Sequence, residues 1–392
     1  MALVLPITVC TGPSWQQTRA LIERDFTLDM VITSHDPLRW NFSDSTSLSE
    51  ALIVATRRPR QGGSPEHWVN FVNLWQNPDG VLNAHRLAQT IVDTSPAKIE
   101  DAGAALLEVD GVHVGDSVFI PESKIASRQW MGVQFSRADL TRSAMRLLDD
   151  GVVWVPGEPT NADVSLCALG QIGEIGPDRR DIWDGFGRTD TATAYPMVEN
   201  HDTEQRKRLR ARPDKYLFPL TTAPRGRRLK PAAQLWAKAG RLLISERIWL
   251  NTVRITSMCT EMPVLSNVWW SVNIGSHICD KSIAVWLNSS VGLLTLMATR
   301  STTRGGWVAL KKADLKNMPV LDVRAISESQ LQALADLFDE LADEEFERLP
   351  AMVNCAARRR LDEGMAAILG LPDLTGLRRL LATEPVVSNE RL

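Results

Sequence analysis

The chain has 392 residues, 44% hydrophobic and 23% charged, values of ordinary folded domains that argue against a disordered or fibrous class. That length exceeds what one core usually fills, so two or three domains are expected. The net charge of −3 identifies no partner, and five cysteines (Cys10, Cys167, Cys259, Cys279, Cys355) without a CxxC pair argue against a disulfide framework or a zinc knuckle, in keeping with a reducing, cytoplasmic setting.

The opening MALVLPITVC has neither a cationic leader nor a small-residue cleavage site and reads as the start of mature protein. An apolar strand at 2–5, a helical pattern at 15–24 and strands at 28–33 and 50–56 make α/β material. Residues 57–67, RRPRQGGSPEH, have linker composition and close on Ser64 as an N-cap with Pro65 at the first helical position. From 65 to about 96 a helical pattern is expected, with Trp68, Phe71, Val72 and Trp75 on one face and a second segment at 82–92, so residues 61–104 form a helical bridge.

From 105 to 325 short β-like runs (151–155, 164–169, 264–272, 307–310) mix with helices and basic loops, which predicts an α+β domain. Residues 282–299 carry no charge for eighteen positions and so touch the length criterion for a membrane span. Asn288, Ser289, Ser290 and Gly292 interrupt that stretch, so a buried helix pair is expected and no membrane. From 326 to 392 the pattern is helical: a stripe of Leu331, Leu334, Leu337, Phe338 and Leu341, then 358–369 and 376–382, read as short hairpins on the preceding domain.

Charge is unevenly spread. Between Arg206 and Lys230 lie ten basic residues and one acid, Asp214, whereas residues 328–347 carry the compensating acids. One face is therefore expected to suit polyanions and another not. The run comprises Arg206, Lys207, Arg208, Arg210, Arg212, Lys215, Arg225, Arg227, Arg228 and Lys230, a density that suits phosphate tracking, which supplies affinity more than sequence choice. Most of the thirteen tryptophans, Trp269 and Trp270 among them, lie in apolar runs and read as core. His277 and Cys279 have no second pair at useful spacing, so no metal site is expected.

Residues 3–58, LVLPITVCTGPSWQQTRALIERDFTLDMVITSHDPLRWNFSDSTSLSEALIVATRR, closely resemble the part of adenine-N6 DNA methyltransferases that follows the catalytic loop. Downstream, LGQIGEIGPDRRDIWDGF, AAQLWAKAGRLLISERIWLNTVR, VLSNVWWSV and GGWVALKKADLKNMPV resemble target-recognition regions fused to such enzymes in restriction-modification and phage defence, and RRRLDEGMAAILGLPDLTGLRRLLATEPVV resembles their C-terminal helices. The resemblance implies an α/β remnant of a class I methyltransferase sheet (last strands only, residues 1–60), an α+β target-recognition domain and C-terminal helices. It also implies that the strand at 2–5, central in the family, pairs here with the strand at 50–56 and is left as an open edge on its other side.

Two family requirements are missing. The base is held by an Asn/Asp-Pro-Pro-aromatic loop, and this sequence has no Pro-Pro dipeptide. The donor S-adenosylmethionine sits against a Gly-rich loop after the first strand, whereas Gly170, Gly173 and Gly176 fall far downstream and read as a turn. No catalytic residue is assigned. The resemblance matches Phe42, and more weakly Trp40, to an aromatic packed against the flipped adenine. Arg300, Arg304, Lys311 and Lys312, which flank Trp307 near the end of the recognition-like region, are read as further backbone contacts. The implied partners are double-stranded DNA and a polypeptide carrying the N-terminal methylase half, which would also bind the donor. A stand-alone specificity module for a separate methylase or nuclease, and an inactive truncated methylase, are the alternatives.

Overall fold

The computed structural model describes residues 1–44, 46–58, 67–94, 103–125 and 129–392. The chain divides into two compact units, Met1–Arg146 with Met297–Val308 and Leu380–Leu392, and Leu147–Leu296 with Ala309–Arg379.

The first unit is built on a six-stranded sheet. Its strands are β1 (Ala2–Pro6), β2 (Phe26–Ser34), β3 (Glu50–Arg57), β4 (Trp68–Leu74), β5 (Ala104–Val109) and β6 (Val112–Pro121), in the order β1-β3-β2-β4-β6-β5. β3 is antiparallel to both β1 and β2, while β2 and β4 run parallel. The pairing of β1 with β3 is the expected one, in the register Leu3 to Ile53 and Leu5 to Ala51, and among the described residues β1 has no other neighbour in the sheet. A helix, Gln16–Asp25, connects β1 to β2.

The sheet does not stop after β3. Residues 68–74, expected on a helix, form β4 between β2 and β6. Val69, Phe71, Val72 and Leu74 are all buried, so both faces of the strand are covered, and its β-branched and aromatic side chains suit that position better than a helix. The second expected segment is a helix, Val81–Asp93, seated on β4 and β5 through Leu87 and Ile91. Ser64 and Pro65, expected to cap a helix, lie outside the described residues.

Two segments distant in sequence complete this unit. Gln134 Nε2 donates to the Arg300 carbonyl (2.7 Å), its own carbonyl accepts from Arg300 (2.9 Å), and Thr302 Oγ1 donates to its side-chain oxygen (2.9 Å). Near the C-terminus, the buried Glu384 carboxylate accepts from the Ser136 amide (3.0 Å) and hydroxyl (2.7 Å).

The second unit holds an eight-stranded mixed sheet in the order Glu174–Ile175, Trp269–Asn273, Gly240–Ser245, Ser257–Ser266, Tyr195–Val198, Lys215–Pro219, Phe186–Thr189, with Arg210–Ala211 added beside Ser257–Ser266. The uncharged stretch forms two helices, His277–Asn288 and Ser290–Thr299, bent by 74°, and among the described residues no single helix is long and apolar enough to cross a membrane. The polar break is a hydrogen-bonding hub. Asn288 Nδ2 donates to the Ser257 carbonyl (2.9 Å) and Asn288 Oδ1 accepts from Thr256 N–H (2.9 Å), while Asp362 accepts from Ser290 N–H (2.8 Å). The expected helices follow as Glu328–Leu341, started by a Ser327–Gln330 capping box, Ala356–Leu369 and Thr375–Thr383.

Candidate nucleic-acid interface

The loop between β2 and β3 carries both aromatic candidates of the first unit, and it is folded by its own polar side chains. Ser34 Oγ donates to the Arg39 carbonyl (2.6 Å), and the buried Asp36 carboxylate accepts from Leu38 N–H (3.0 Å) and from both arms of Arg391 (3.0 and 2.7 Å). Burial alone would raise the Asp36 pKa, but Arg391 and the backbone donors outweigh it and hold the carboxyl below its ordinary value. Glu50, the first residue of β3, accepts from the amides of Phe42 (2.9 Å) and Ser43 (2.8 Å) and from the Ser43 hydroxyl (2.5 Å). Its pKa too is lowered against the opposing effect of burial, by the hydroxyl and those two amides.

Phe42 is half-buried and rests on Val72, Leu74, Leu87, Ile91 and Leu107, so part of its ring packs under the loop and part stays accessible. Trp40, also half-buried, lines a cavity of ≈ 10 Å³ with His35, Ser49, Arg300 and Thr302. Burial, then the Arg300 charge, push the His35 pKa down to about 3 against the bond to Asn73, so that imidazole is neutral at physiological pH. The two aromatics therefore sit in one fixed loop. Sequence reasoning passed over Asp36, Glu50 and Arg391, since no local pattern links residues this far apart.

The basic run tells against the expectation of separate basic and acidic faces. Arg206 pairs with Asp214, Lys207 and Arg208 with Glu345 (2.7 and 2.8 Å), and Arg210 with Glu261 (2.8 Å) and Asp343 (3.4 Å). Lys215 pairs with Asp190 (2.5 Å), Arg227 with Asp184 (2.6 Å) and Lys230 with Asp181 (2.5 Å). Two of the compensating acids, Asp343 and Glu345, thus lie on the run itself, together with Asp181, Asp184, Asp190, Asp214 and Glu261. Arg212, Arg225 and Arg228 are exposed and form no ion pair among the described residues.

Arg300 is a second correction. It is 2% exposed, its guanidinium donates to the carbonyls of Met297 and Gln134, and burial lowers its pKa to about 10, so it is core and cannot meet a phosphate. Arg304 and Lys311 are exposed, whereas Lys312 is half-buried and donates to the Gly176 carbonyl (2.7 Å).

The donor S-adenosylmethionine does not fit the glycines present. A Cβ on Gly176 would stand 2.2 Å from Ser271 Oγ, and one on Gly173 would stand 3.0 Å from Val272 Cγ1. These glycines let the chain lie close along Trp269–Asn273 and leave no cradle there for a nucleotide.

That approach builds a cleft of ≈ 380 Å³ between residues 177–181 and the turn at Ser266 and Asn267, with Glu246, Trp269 and Trp270. Three of the segments singled out in the sequence, LGQIGEIGPDRRDIWDGF, AAQLWAKAGRLLISERIWLNTVR and VLSNVWWSV, meet at it.

No protein-family model and no curated protein matches the chain. Among solved structures, it is similar to the type IIG restriction endonuclease BpuSI, at TM-score 0.44 and 12% identity, over 99% of this chain and 46% of that one. It is also similar to the HsdS subunit from Thermoanaerobacter tengcongensis, at TM-score 0.29 and 11% identity, over 96% of each. The chain spans less than half the length of the endonuclease.

Proposed function

We propose that this chain supplies the C-terminal, target-recognising part of a site-specific adenine-N6 DNA methyltransferase. The strands bearing the S-adenosylmethionine loop and the catalytic loop would dock along the free edge of β1, on a polypeptide carrying the N-terminal methylase half. The loop holding Phe42 and Trp40 would close the base pocket from the opposite side, and double-stranded DNA would lie against the second unit.

The observation that carries this reading is β1. Its sequence is apolar on both faces, as in an interior strand of an α/β sheet covered from both sides, yet Leu3 on one face is 42% exposed and Val4 on the other 46%. Natural proteins seldom leave such an edge bare. Antiparallel β3 between two mutually parallel strands, over the residues that carry the family resemblance, agrees with it.

The test is reconstitution. Tritiated-methyl transfer to genomic DNA is measured with the homogeneous chain, then after coexpression with a fragment containing the donor loop and catalytic strand. The expected result is no transfer alone and transfer to adenine N6 with the fragment. Transfer by the chain alone, or a fragment that neither binds nor restores transfer, overturns the reading.

A further inference from the structure

The cleft of the second unit has a chemistry that the proposed function leaves unused. It arises because Glu174–Ile175 pairs with Trp269–Asn273, and the Gly176 amide continues the ladder to the Ser271 carbonyl (2.7 Å), which carries Pro177–Asp181 alongside the turn before Trp269. That turn is fixed by Ser266 Oγ, which accepts from the amides of Val268 (3.2 Å) and Trp269 (3.0 Å), and it presents Asn267 to the cleft.

Four features decide what could fit. Both indole donors are already engaged, Trp269 Nε1 with the Asn200 carbonyl (3.1 Å) and Trp270 Nε1 with that of Leu310 (2.8 Å), so the tryptophans offer ring surface alone. Asn267 Oδ1 is buried with no hydrogen-bond partner among the described residues, an acceptor left for a donor from outside. The only cation paired with Glu246 among the described residues is Arg247, at 3.7 Å. Arg179 and Arg180 are exposed at the rim and form no ion pair among the described residues, while Asp181 is held by Lys230.

A bare anion would meet Asn267 Oδ1 and the carboxylates of Asp178, Asp181 and Glu246 in this cleft, and a purely apolar group would leave Asn267 unsatisfied. An amino group on a flat ring answers Asn267 and the carboxylates, an adjoining anion answers Arg179 and Arg180, and ≈ 380 Å³ is of the size that takes a small molecule rather than a helix. We infer that the cleft receives one DNA base with an exocyclic amino group (adenine, cytosine or guanine), Asn267 and Glu246 accepting from that group and Arg179 and Arg180 holding the flanking phosphates. This rests on the DNA-recognition reading above and assigns the residues that read sequence. Thymine, which lacks the amino group, is excluded.

The experiment is selection of bound duplexes from a random pool by the full chain, then sequencing. Wild type should select a site. Asn267→Leu should lose the preference at one amine-bearing position, with affinity for the wild-type site falling roughly 5- to 150-fold. Asn267→Asp, which keeps the acceptor, should retain that preference. Arg179→Ala with Arg180→Ala should weaken all sequences alike and lower the slope of log affinity against log salt by about 1.8.

A wild-type site that Asn267→Leu selects with unchanged preference and affinity overturns the inference and leaves the proposed function standing. No selection by wild type overturns both. Should Asn267→Leu fail to fold, halogenated analogues of each amine-bearing base of the wild-type site (5-iodocytosine, 8-bromoadenine, 8-bromoguanine), placed one position at a time, decide: photocrosslinks to Trp269 or Trp270 support the cleft, and crosslinks elsewhere alone overturn it.

Discussion

The free edge of β1 makes a prediction at single-amide resolution. Met1 and Ala55 exchange hydrogen bonds (2.6 and 3.0 Å), and Ile7 N–H donates to the Ser49 carbonyl (2.9 Å), so odd-numbered residues of β1 face β3 and even-numbered ones face outward. Ala2 and Val4 therefore have amides with no strand to accept them among the described residues, while Leu3 and Leu5 are bonded to β3. In hydrogen exchange of the isolated monomer, Ala2 and Val4 should exchange near the unprotected rate. The interior strand β3 opens only with the sheet, and its amides should be slower by on the order of 10³-fold or more. This weak protection should be confined to β1, because β2 is flanked by β3 and β4. Adding the sheet-completing fragment should protect Val4. Covering the exposed halves of Leu3 and Val4 stabilises that complex by roughly 1 kcal/mol each, beyond the backbone pairing. A Val4 amide protected a thousandfold in a sample shown to be monomeric would refute the open edge and, with it, the physical basis for the missing half.

Three further outcomes are expected. Glu50→Ala removes the acceptor of three hydrogen bonds and should destabilise the loop by roughly 2–4 kcal/mol, read as faster exchange of the Phe42 and Ser43 amides; since its pKa is lowered on folding, the wild-type contribution is full above the ordinary glutamate pKa and fades as pH falls through the folded value, and a pH-independent difference would contradict it. Asp280 has the opposite sign: burial raises its pKa from 3.8 to about 6 despite Arg241, so its charge costs stability above about pH 6, and Asp280→Asn should stabilise the protein at pH 8 by on the order of 1–3 kcal/mol and very little at pH 4, checked by urea denaturation. Replacing Arg212, Arg225 and Arg228 by Ser should flatten the salt dependence of DNA binding by roughly 0.9 per lost phosphate contact, and an unchanged slope would show that these cations face only solvent.

How much of this was legible in the sequence depended on whether the deciding contact was local. The strands at β1, β2 and β3, the helix pair broken at Asn288 and the helices after 326 were read from short-range periodicity and polar breaks, and they formed. Residues 68–74 were misread for a definable reason: Trp68, Phe71, Val72 and Trp75 fit the helical i, i+3, i+4, i+7 spacing, while the same stretch is nearly continuous apolar sequence, which periodicity cannot assign between a buried helix and a buried strand. The basic run failed differently. Its cations were counted correctly, but Glu345, Asp343 and Glu261 reach them from positions distant in sequence, and composition cannot show which charges are already neutralised.

That neutralisation changes the functional argument about the run. Exposed pairs of this kind are each worth about 1 kcal/mol or less, so a DNA phosphate could displace Glu345 from Lys207 and Arg208 at little cost, but the freed carboxylate would remain beside the DNA. Each such exchange substitutes one anion for another, and its net gain is smaller than that of bringing a phosphate to an unpaired cation. Affinity from this surface should therefore come first from Arg212, Arg225 and Arg228, and at the cleft from Arg179 and Arg180. Sequence choice must come from elsewhere, since no phosphate contact reads a base. Asn267 and Glu246 in the cleft have acceptors available for that task, which is why the Asn267→Leu selection, more than any change in the basic run, separates a sequence-reading protein from one that merely binds polyanions.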